Sequence, residues 1–426
     1  MSAGAHKDEV GVAMGVGATP VGQLTFVRDG RREYSAFAYD PRWLAARDAF
    51  SVSPDLPLAG GWVTRRSPTA DDSPFPFAIA DTEPDAWGRR VIARAHARRR
   101  TADSSLRALT RFDYLAAVDD MSRIGALRLQ DARGTFLRSG TAHRAPPLVD
   151  LGKVASAARR FEDGTESSAD LDYLQGKATS LGGLRPKCSV LDTDGTLALG
   201  KFPSVNDTRS VVRGEVLALK LVERAGGCAA SARVEMIDGA PVAVIRRFDR
   251  ASGERRIPYL SGGSLLQARR DSDHSYGEVA DAIRRISADP VHDLEELWRR
   301  LVVNLLITNV DDHLWNLGFL YAGDARWHLA PAFDVNPFPD KERESKTWLT
   351  EDTGPIVSLS QLLAQAPYFG LARPRAEAIV ATVAHATQSW REVAASAEVG
   401  MSEAEMAEFE SAFEHGVARE ARAFIR

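Results

Sequence analysis

The most constraining feature of the sequence is a group of polar side chains enclosed between two apolar segments near residue 310. The run NLLITNVDDHLWNLGFL extends from Asn304 to Leu320, and LAPAFDVNP follows from Leu329 to Pro337. The residues before the polar group have helical periodicity, and LGFLY after it is typical of a strand. Because both neighbours should be buried, the fold must place a polar loop between a helix and a strand. The polar residues are Asn309, Asp311, Asp312, His313 and Asn316.

Three residues of this region have the chemistry that phosphoryl transfer requires. One carboxylate must orient the attacking hydroxyl and accept its proton, an amide oxygen must bind Mg²⁺, and a second carboxylate must bridge Mg²⁺ and the phosphates. Asp311, Asn316 and Asp334 fit these roles in turn. The spacing of Asp311 and Asn316 equals that of the protein-kinase catalytic loop D-x-x-x-x-N.

A surface turn is the alternative interpretation of the same residues. Any one of the Asn and Asp residues alone would be better explained as a turn residue, because such side chains stabilise turns. His313 alone would be better explained as a packed histidine. Five polar groups in one short loop between apolar segments favour a functional site.

A second candidate segment is the loop TSLGGLRPK, from Thr179 to Lys187. Its two glycines allow the backbone to approach phosphate oxygens closely. The loop is not a Walker A motif, because Cys188 follows the lysine and the glycine spacing differs. A plain connecting loop explains it equally well when it is considered alone.

Lys201 follows at the end of a predicted strand, where alternation places it on the face of Leu197 and Leu199. An inward lysine requires an anion, and Glu215 on the next predicted helix could pair with it. That pair would reproduce the lysine–glutamate pair that holds phosphates in protein kinases. An exposed Lys201 is the alternative.

The order of the predicted elements indicates an α+β protein. Hairpins are predicted about Asp29-Gly30, Asp194-Gly195 and Asp238-Gly239, and a strand at 125–130. Helices are predicted from Pro84 to about residue 97, with the proline in the first turn, and over 213–227. Long helical periodicity dominates beyond residue 275, so a β-rich part precedes a helical part. Its two apolar stripes are Leu294, Leu297, Trp298, Leu301 and Leu305, and Ile379, Val383, Ala386 and Trp390. The polar stretch 139–147 is predicted to be a boundary.

The bulk properties exclude several classes of protein. The chain has 426 residues, 44% of them hydrophobic, a net charge of -4 and two cysteines without metal-ligand spacing. These values argue against a protein that coats nucleic acid, a disulfide framework and a structural zinc site. No secretory signal or membrane span is recognised, so a soluble, cytoplasmic protein with no membrane partner is predicted.

The motifs together resemble the HipA family, over nearly the whole chain. VGQLTF, FAYDPRWL, SLGGLRPK, VIRRFDR, NVDDHLWNLGFL and LAPAFDVNP occur in the order of that family. The resemblance implies a kinase-like bilobal α+β fold. Its predicted parts are a β-rich N-terminal subdomain (1–145), a small β lobe (146–250) and a mostly helical C-terminal lobe (251–426).

The resemblance also implies residue roles. Asp311 would be the catalytic base, Asn316 and Asp334 would hold Mg²⁺, and His313 would lie beside the phosphates of ATP. The remaining nucleotide contacts would be the phosphate loop, Lys201 and a hinge against adenine. The loop residues are Gly182, Gly183, Leu184, Arg185 and Lys187, and the hinge residues are Arg246, Arg247 and Phe248.

Ser180 falls where the family carries its autophosphorylated serine, and Thr179 is the nearest alternative acceptor. Two residues depart from the family pattern. Trp315 stands where a lysine is common, and Arg246 stands where a glutamate occurs in the best-known member. Neither departure removes a group that the chemistry requires.

By the same resemblance the chain would be an ATP- and Mg²⁺-dependent serine/threonine protein kinase, the toxin of a type II toxin–antitoxin system. The implied partners are a helix-turn-helix, HipB-like antitoxin and a protein substrate, with an aminoacyl-tRNA synthetase as one candidate. DNA would be bound only through the antitoxin. The alternatives are a small-molecule kinase and a catalytically inactive nucleotide-binding regulator, and a metal-dependent phosphohydrolase ranks last.

Overall fold

The computed structural model describes residues 6–30, 32–67, 69, 72–139, 145–177, 183, 185–252 and 255–425. The chain forms two compact units. The first, called the N-terminal unit, comprises Met1–Val205 and Asp249–Leu260, and the second, called the C-terminal unit, comprises Asn206–Phe248 and Ser261–Arg426. Within the described ranges, no helix is both long enough and apolar enough to cross a membrane.

The N-terminal unit contains an antiparallel sheet of five strands in the order β4-β3-β2-β1-β5. The predicted hairpin about Asp29-Gly30 is confirmed, because Asp29 pairs with Arg32 across the turn. Alternate residues of the strands, such as Leu24, Phe26 and Phe37, face the core and are fully buried. The strands are β1 (His6–Met14), β2 (Thr19–Asp29), β3 (Arg32–Tyr39), β4 (Val63–Arg66) and β5 (Leu127–Gln130).

The described residues of this unit also form six α-helices and a second hairpin. Trp87 on the third helix packs edge-on against Phe161 on the fifth, with ring centroids 5.0 Å apart. The predicted hairpin about Asp194-Gly195 is confirmed by its strand pairing. The elements are α1 (Pro41–Ala45), α2 (Phe77–Ala80), α3 (Ala86–Ala102), α4 (Arg111–Ala117), α5 (Leu151–Glu162), α6 (Ser168–Lys177), β6 (Lys187–Leu191) and β7 (Leu197–Lys201).

The start of α3 differs from the prediction. Pro84 was expected in the first helical turn, but it precedes the N-cap residue Asp85. The Asp85 carboxylate accepts a hydrogen bond from the Gly88 N–H, 2.5 Å away. An aspartate that satisfies a free N–H of the first turn is a stronger start signal than the proline, so it sets the boundary.

The C-terminal unit begins with a helix and a hairpin and continues mainly as helices. In the hairpin turn, Asp238 and Gly239 have φ values of 50° and 80°. Two successive residues with positive φ are typical of the type I′ turn that Asp-Gly predicts. The first elements are α7 (Val211–Arg224), β8 (Ala232–Ile237) and β9 (Ala240–Arg246), and β10 (Tyr259–Ser261) follows at the third crossing between the units.

The helical periodicity predicted beyond residue 275 is confirmed. Leu297 and Trp298 of the first predicted stripe, and Val383 and Trp390 of the second, are fully buried. The remaining elements are α8 (Gly262–Leu265), α9 (Tyr276–Ile286), α10 (Pro290–Leu306), β11 (Gly318–Gly323), β12 (Arg326–Leu329), β13 (Trp348–Thr350), β14 (Gly354–Pro355), α11 (Leu359–Gln365), α12 (Arg373–Gln388), α13 (Trp390–Ala394), α14 (Glu403–Phe413) and α15 (Gly416–Arg422).

The elements confirm the predicted α+β class, with strands concentrated early in the chain and helices late. Residues 140–144, within the predicted boundary at 139–147, lie outside the described residues. The three predicted domains, 1–145, 146–250 and 251–426, stay a prediction beside the two contact-based units.

Candidate active site

The candidate site begins where α10 ends. The chain leaves the helix through Thr308, whose φ of 56° lies in the left-handed region that β-branched residues rarely adopt. The Asn309 N–H donates to the Asn304 carbonyl (2.8 Å), which closes the helix as a Schellman motif does. The buried Thr308 hydroxyl donates to the Ala412 carbonyl (3.0 Å). These bonds hold a strained turn and fix the direction in which the polar loop starts.

The polar loop, residues 310–317, is held by its own asparagine. The side-chain amide of Asn316 donates from Nδ2 to the Asp311 carbonyl oxygen, 2.8 Å away. Because Nδ2 makes this hydrogen bond, the side-chain carbonyl oxygen Oδ1 of Asn316 can coordinate a cation. The two residues that the spacing singled out are therefore brought together.

Asp334 reaches the same region through the segment that follows β12. The Ala332 N–H donates to the Cys228 carbonyl (2.8 Å), which ties this segment to the chain between α7 and β8. Asp334 itself has a φ of 55°, a conformation that aspartate tolerates better than most residues. Beyond it, the Asn336 N–H donates to Asn309 Oδ1 (3.4 Å), a bond that joins the segment to the start of the polar loop.

His313, Asn316 and Asp334 line one cavity of about 40 Å³. A cavity of this size with several polar walls accommodates an ion or a few water molecules. Asp311 is not among the lining residues. The lining residues are Val222, Tyr276, Leu297, Arg300, Leu301, Asn304, Asn309, Asp312, His313, Asn316, Leu317, Ala332, Phe333, Asp334 and Val335.

The donor set of this cavity fits Mg²⁺ bound together with phosphate. Asn316 and Asp334 supply hard oxygen atoms, the ligands that Mg²⁺ prefers. In the described part of the chain, no group of three or more His, Cys, Asp or Glu side chains could hold a metal ion by itself. A cation held here would therefore complete its coordination with water and with the oxygens of a bound phosphate.

Asp311 lies at the exposed side of the loop, where its Oδ1 atom forms an ion pair with the Lys346 ammonium. The two side chains are 39% and 58% exposed, respectively. The Lys346 N–H also donates to the carboxylate of the neighbouring Asp312 (2.7 Å). Lys346 therefore contacts both acidic residues of the loop.

Asp312, in contrast, is a buried structural residue. Its carboxylate accepts hydrogen bonds from the Tyr276 hydroxyl (2.9 Å) and the Lys346 N–H. Burial outweighs these bonds and raises the pKa of Asp312 to about 6. The sequence grouped Asp312 with the other polar residues of the loop. In the structure, Asp312 holds residues 345–347 against the loop.

His313 sits half-buried at the cavity. Burial lowers the pKa of His313, which favours the neutral ring. Its Nδ1 atom is buried and has no hydrogen-bond partner among the described residues. An unsatisfied ring nitrogen at a polar cavity is consistent with a bound oxyanion or water there.

Trp315, the departure from the family pattern, lies edge-on to His313, with ring centroids 6.2 Å apart. Its indole ring lies under the Arg270 guanidinium, 4.1 Å from the ring centroid. A β-carbon on Gly263 would lie 2.5 Å from the indole, so only glycine leaves room for this packing. Trp315 thus places a packed aromatic ring at the position where the family pattern has the charge of a lysine.

The three predicted hinge residues have different environments. Phe248 packs against Phe333, a wall residue of the cavity, with ring centroids 5.4 Å apart. Arg247 is buried, whereas Arg246 is exposed. Within the C-terminal unit, the structure therefore brings one hinge residue to the candidate site through an aromatic contact.

The predicted phosphate loop belongs to the N-terminal unit. Thr179, Ser180, Gly182 and Leu184 lie outside the described residues, Gly183 is exposed and Arg185 is half-buried. Lys187 is buried, and its ammonium pairs with the Asp85 carboxylate, 3.1 Å away. The carboxylate that caps α3 therefore also holds the lysine that was predicted to bind phosphate.

Lys201 is buried, as its strand alternation predicted, and its Cα pairs with that of Lys187 across the hairpin. Glu215 is also buried, on α7. Lys201 belongs to the N-terminal unit and Glu215 to the C-terminal unit. The predicted pair between them stays a prediction.

Three residues of the site had no role in the sequence interpretation, namely Asn304, Tyr276 and Lys346. Asn304 is a polar residue within the apolar run LVVNLLI, just before the polar loop. Its position could have indicated a role in the site. Tyr276 and Lys346 lie 36 and 34 residues from the Asp312 carboxylate that they bind, without any distinguishing pattern.

The chain matches two family descriptions in succession. Residues 12–138 match "HipA N-terminal domain", and residues 179–390 match "HipA-like C-terminal domain". A curated relative from Sinorhizobium fredii, "Putative kinase Y4mE", is 25% identical over an alignment of 338 positions that covers 74% of this chain and 74% of the relative.

Two solved structures are also similar. One is the Shewanella oneidensis toxin–antitoxin complex of HipA, HipB and operator DNA, with a TM-score of 0.65 and 16% identity over 97% of this chain and 99% of that one. The other is the Helicobacter pylori proinflammatory kinase CtkA, with a TM-score of 0.44 and 17% identity over 57% of this chain and 90% of that one. The first likeness confirms the predicted kinase-like α+β fold.

Proposed function

The chain belongs to the HipA family, and on this premise we propose that it is an ATP- and Mg²⁺-dependent kinase of protein serine and threonine hydroxyls. One observation carries the proposal. Asn316 is bonded to the Asp311 carbonyl, and it lines a polar cavity together with Asp334. One region thereby supplies a candidate base and two oxygen ligands for Mg²⁺, with Asp311 and Asn316 in the polar loop and Asp334 in the segment after β12.

Asp311 acts in this proposal as the catalytic base. Its carboxylate accepts the proton of the acceptor hydroxyl while the hydroxyl oxygen attacks the γ-phosphorus of ATP. The bond from the γ-phosphorus to the oxygen that bridges to the β-phosphate breaks, and ADP leaves. Such a reaction depends mostly on positioning and charge neutralisation, so the strained turn at Thr308 and the Asn316 bond serve it by fixing the loop.

Asn316 and Asp334 are the residues that would hold Mg²⁺, which neutralises charge on the transferred phosphoryl group when it is bound. Neutral His313 lies at the same cavity and can donate a hydrogen bond to a phosphate oxygen. Phe248 packs on the cavity wall through Phe333 and is proposed to contact adenine, with Arg246 and Arg247 beside it.

The N-terminal unit is proposed to supply the remaining nucleotide contacts. These are the loop from Gly182 to Lys187, including Gly183, Leu184 and Arg185, and the buried Lys201. Ser180 in this loop is the proposed autophosphorylation site. The proposal also makes the chain the cytoplasmic toxin of a toxin–antitoxin pair, with a HipB-like antitoxin as partner. Its substrate would be a protein, for which an aminoacyl-tRNA synthetase is one candidate.

The role of Asp311 can be tested with Asp311→Asn, which keeps the shape of the side chain and removes its basicity. We expect phosphoryl transfer from [γ-³²P]ATP to proteins of a cell lysate to fall by about two orders of magnitude or more. ATP binding, measured by titration calorimetry, should stay within about twofold. Asp324→Asn, at an exposed turn of the same unit, is the matched control.

A rate for Asp311→Asn above half that of the wild type would contradict the assignment. Label that appears only in soluble metabolites, and not in protein bands, would replace a protein substrate with a small-molecule one. An absence of ATP turnover in the wild type with Mg²⁺ would favour a nucleotide-binding regulator.

The role of Asp334 can be tested with Asp334→Asn, because asparagine also tolerates the positive φ at this position. Removal of the carboxylate charge should reduce the Mg²⁺-dependent tightening of ATP binding at least about tenfold, since Mg²⁺ depends on one or two protein carboxylates. Titration calorimetry with and without Mg²⁺ measures this difference. An unchanged Mg²⁺ effect would show that Asp334 is not a ligand.

A further inference from the structure

The proposed site has an excess of negative charge near its catalytic base. Asp311, Asp312 and Asp334 lie in or beside the loop, and bound ATP would add the charges of its phosphates. The loop 310–317 contains no lysine or arginine, and Trp315 packs as an uncharged ring against Gly263. Apart from bound Mg²⁺, a cation that offsets this charge must therefore come from elsewhere in the fold.

Arg300 lines the cavity but is committed to structural bonds. Its Nε atom donates to Glu296 (2.8 Å), and Nη2 donates to the Ala330 and Cys228 carbonyls (2.8 and 3.2 Å). Lys346 differs, because its ammonium contacts the Asp311 carboxylate itself. It binds one oxygen, Oδ1, which leaves the second carboxylate oxygen for a substrate proton.

The backbone that carries Lys346 is anchored to the loop by buried hydrogen bonds. The Lys346 N–H donates to Asp312 Oδ1 (2.7 Å), and the Thr347 hydroxyl donates to the Asp312 carbonyl (2.7 Å). Ser345 is also buried, and its hydroxyl bonds to the Thr347 carbonyl (2.6 Å) and the Ile356 N–H (2.7 Å). Because residues 345–347 are fixed, the exposed lysine is delivered to Asp311 at a reduced entropic cost.

We propose that Lys346 is a positioning residue of the phosphoryl-transfer site: its ammonium holds Asp311 Oδ1 so that the other oxygen faces the acceptor hydroxyl. This role rests on the proposed kinase function. Lys346 acts through Asp311, and it also supplies the positive charge that the loop lacks. Residues 345–347 form a strap that carries this charge to the catalytic base from 35 residues further along the chain.

The test uses the full-length chain with [γ-³²P]ATP, Mg²⁺ and cell lysate. Lys346→Met keeps the length of the side chain and removes its charge, and Lys346→Arg keeps the charge. We expect Lys346→Met to lower kcat about 10- to 100-fold, since a misplaced catalytic group can cost this much, while KM for ATP stays within about twofold. Lys346→Arg should recover kcat to within about threefold of the wild type.

Lys341→Met removes an exposed lysine five residues earlier and should leave kcat unchanged. A kcat for Lys346→Met above half that of the wild type, in an assay where Asp311→Asn is strongly impaired, would overturn the positioning role and leave the kinase proposal intact. A Lys346→Arg variant as slow as Lys346→Met would overturn it too, because the charge would then not be the cause. Equal rates for the wild type and Asp311→Asn would overturn both proposals.

Discussion

Two lysine–aspartate pairs, one in each unit, occupy opposite environments. Lys187 and Asp85 in the N-terminal unit are each 2% exposed, whereas Lys346 and Asp311 in the C-terminal unit are 58% and 39% exposed. A buried pair loses its hydration on folding and cannot release one partner without leaving an uncompensated charge. An exposed pair can exchange its partner for water or substrate at little cost.

The comparison indicates that the two pairs serve different purposes. The buried pair links the N-cap of α3 to the start of β6, so it stabilises the fold and holds the last residue of the proposed phosphate loop. The exposed pair contributes little to the fold, and it leaves Asp311 able to bind a hydroxyl. The chemistry of the two pairs is identical, so burial decides which of the two aspartates is accessible to a hydroxyl.

The largest effect on stability is expected when Lys187 loses its charge. Lys187→Met would leave the Asp85 carboxylate buried without its cation, a change that costs about 3–5 kcal/mol in other proteins. The relief of repulsion against Lys201, its cross-strand neighbour, should offset part of this cost. We expect the free energy of unfolding in urea to fall by about 2–4 kcal/mol.

The double variant Lys187→Met with Asp85→Asn is the control for this experiment. The introduced asparagine would keep an N-cap oxygen for the Gly88 N–H and would remove the unpaired charge. The double variant should therefore be more stable than Lys187→Met alone. Equal stability of the two variants would mean that the pair is not the reason for the loss.

Asp312 adds a third case to the two ion pairs. It is a buried carboxylate whose hydrogen bonds come from a hydroxyl and a backbone N–H. Burial raises the pKa of Asp312 to about 6 from its usual 3.8, so the folded state is penalised once this group ionises. The stability that protonated Asp312 allows is present below pH 4 and is lost as the pH rises through about 6. Asp312→Asn should therefore stabilise the protein by about 1–2 kcal/mol at pH 8, since each pKa unit corresponds to about 1.4 kcal/mol and the altered hydrogen bonds offset part of the gain.

Urea unfolding of Asp312→Asn and the wild type at pH 4.5 and pH 8 measures this gain. It should shrink markedly at the lower pH, because the wild-type carboxyl is then largely protonated. A gain of the same size at both pH values would contradict the burial penalty as its cause.

The smallest effect on stability is expected at the exposed pair. Lys346→Met should change the free energy of unfolding in urea by less than about 1 kcal/mol, because exposed ion pairs contribute little to folding. Combined with the expected loss of kcat, this result would separate a role in positioning from a role in the fold. A loss as large as that of Lys187→Met would place the two pairs in the same class.

Local patterns were sufficient to predict much of the fold. The Asp-Gly dipeptides correctly predicted the hairpins, since Asp238 and Gly239 adopt the positive φ that such a turn requires. The stripe that contains Leu297 and Trp298 gave the buried face of α10. The predicted position of Pro84 within α3 was wrong, because the choice between neighbouring start signals depended on which side chain reached the first free N–H groups.

The sequence by itself determined the chemistry of the candidate site, because Asp311 and Asn316 lie five residues apart and one hydrogen bond within a single loop joins them. Only the tertiary structure decided that Lys346 reaches Asp311 and that Lys187 is held by Asp85. The physical reason is the range of the interactions. Loop and helix geometry follow from neighbours in the chain, whereas the partner and the burial of a charge are set by segments that only packing brings together.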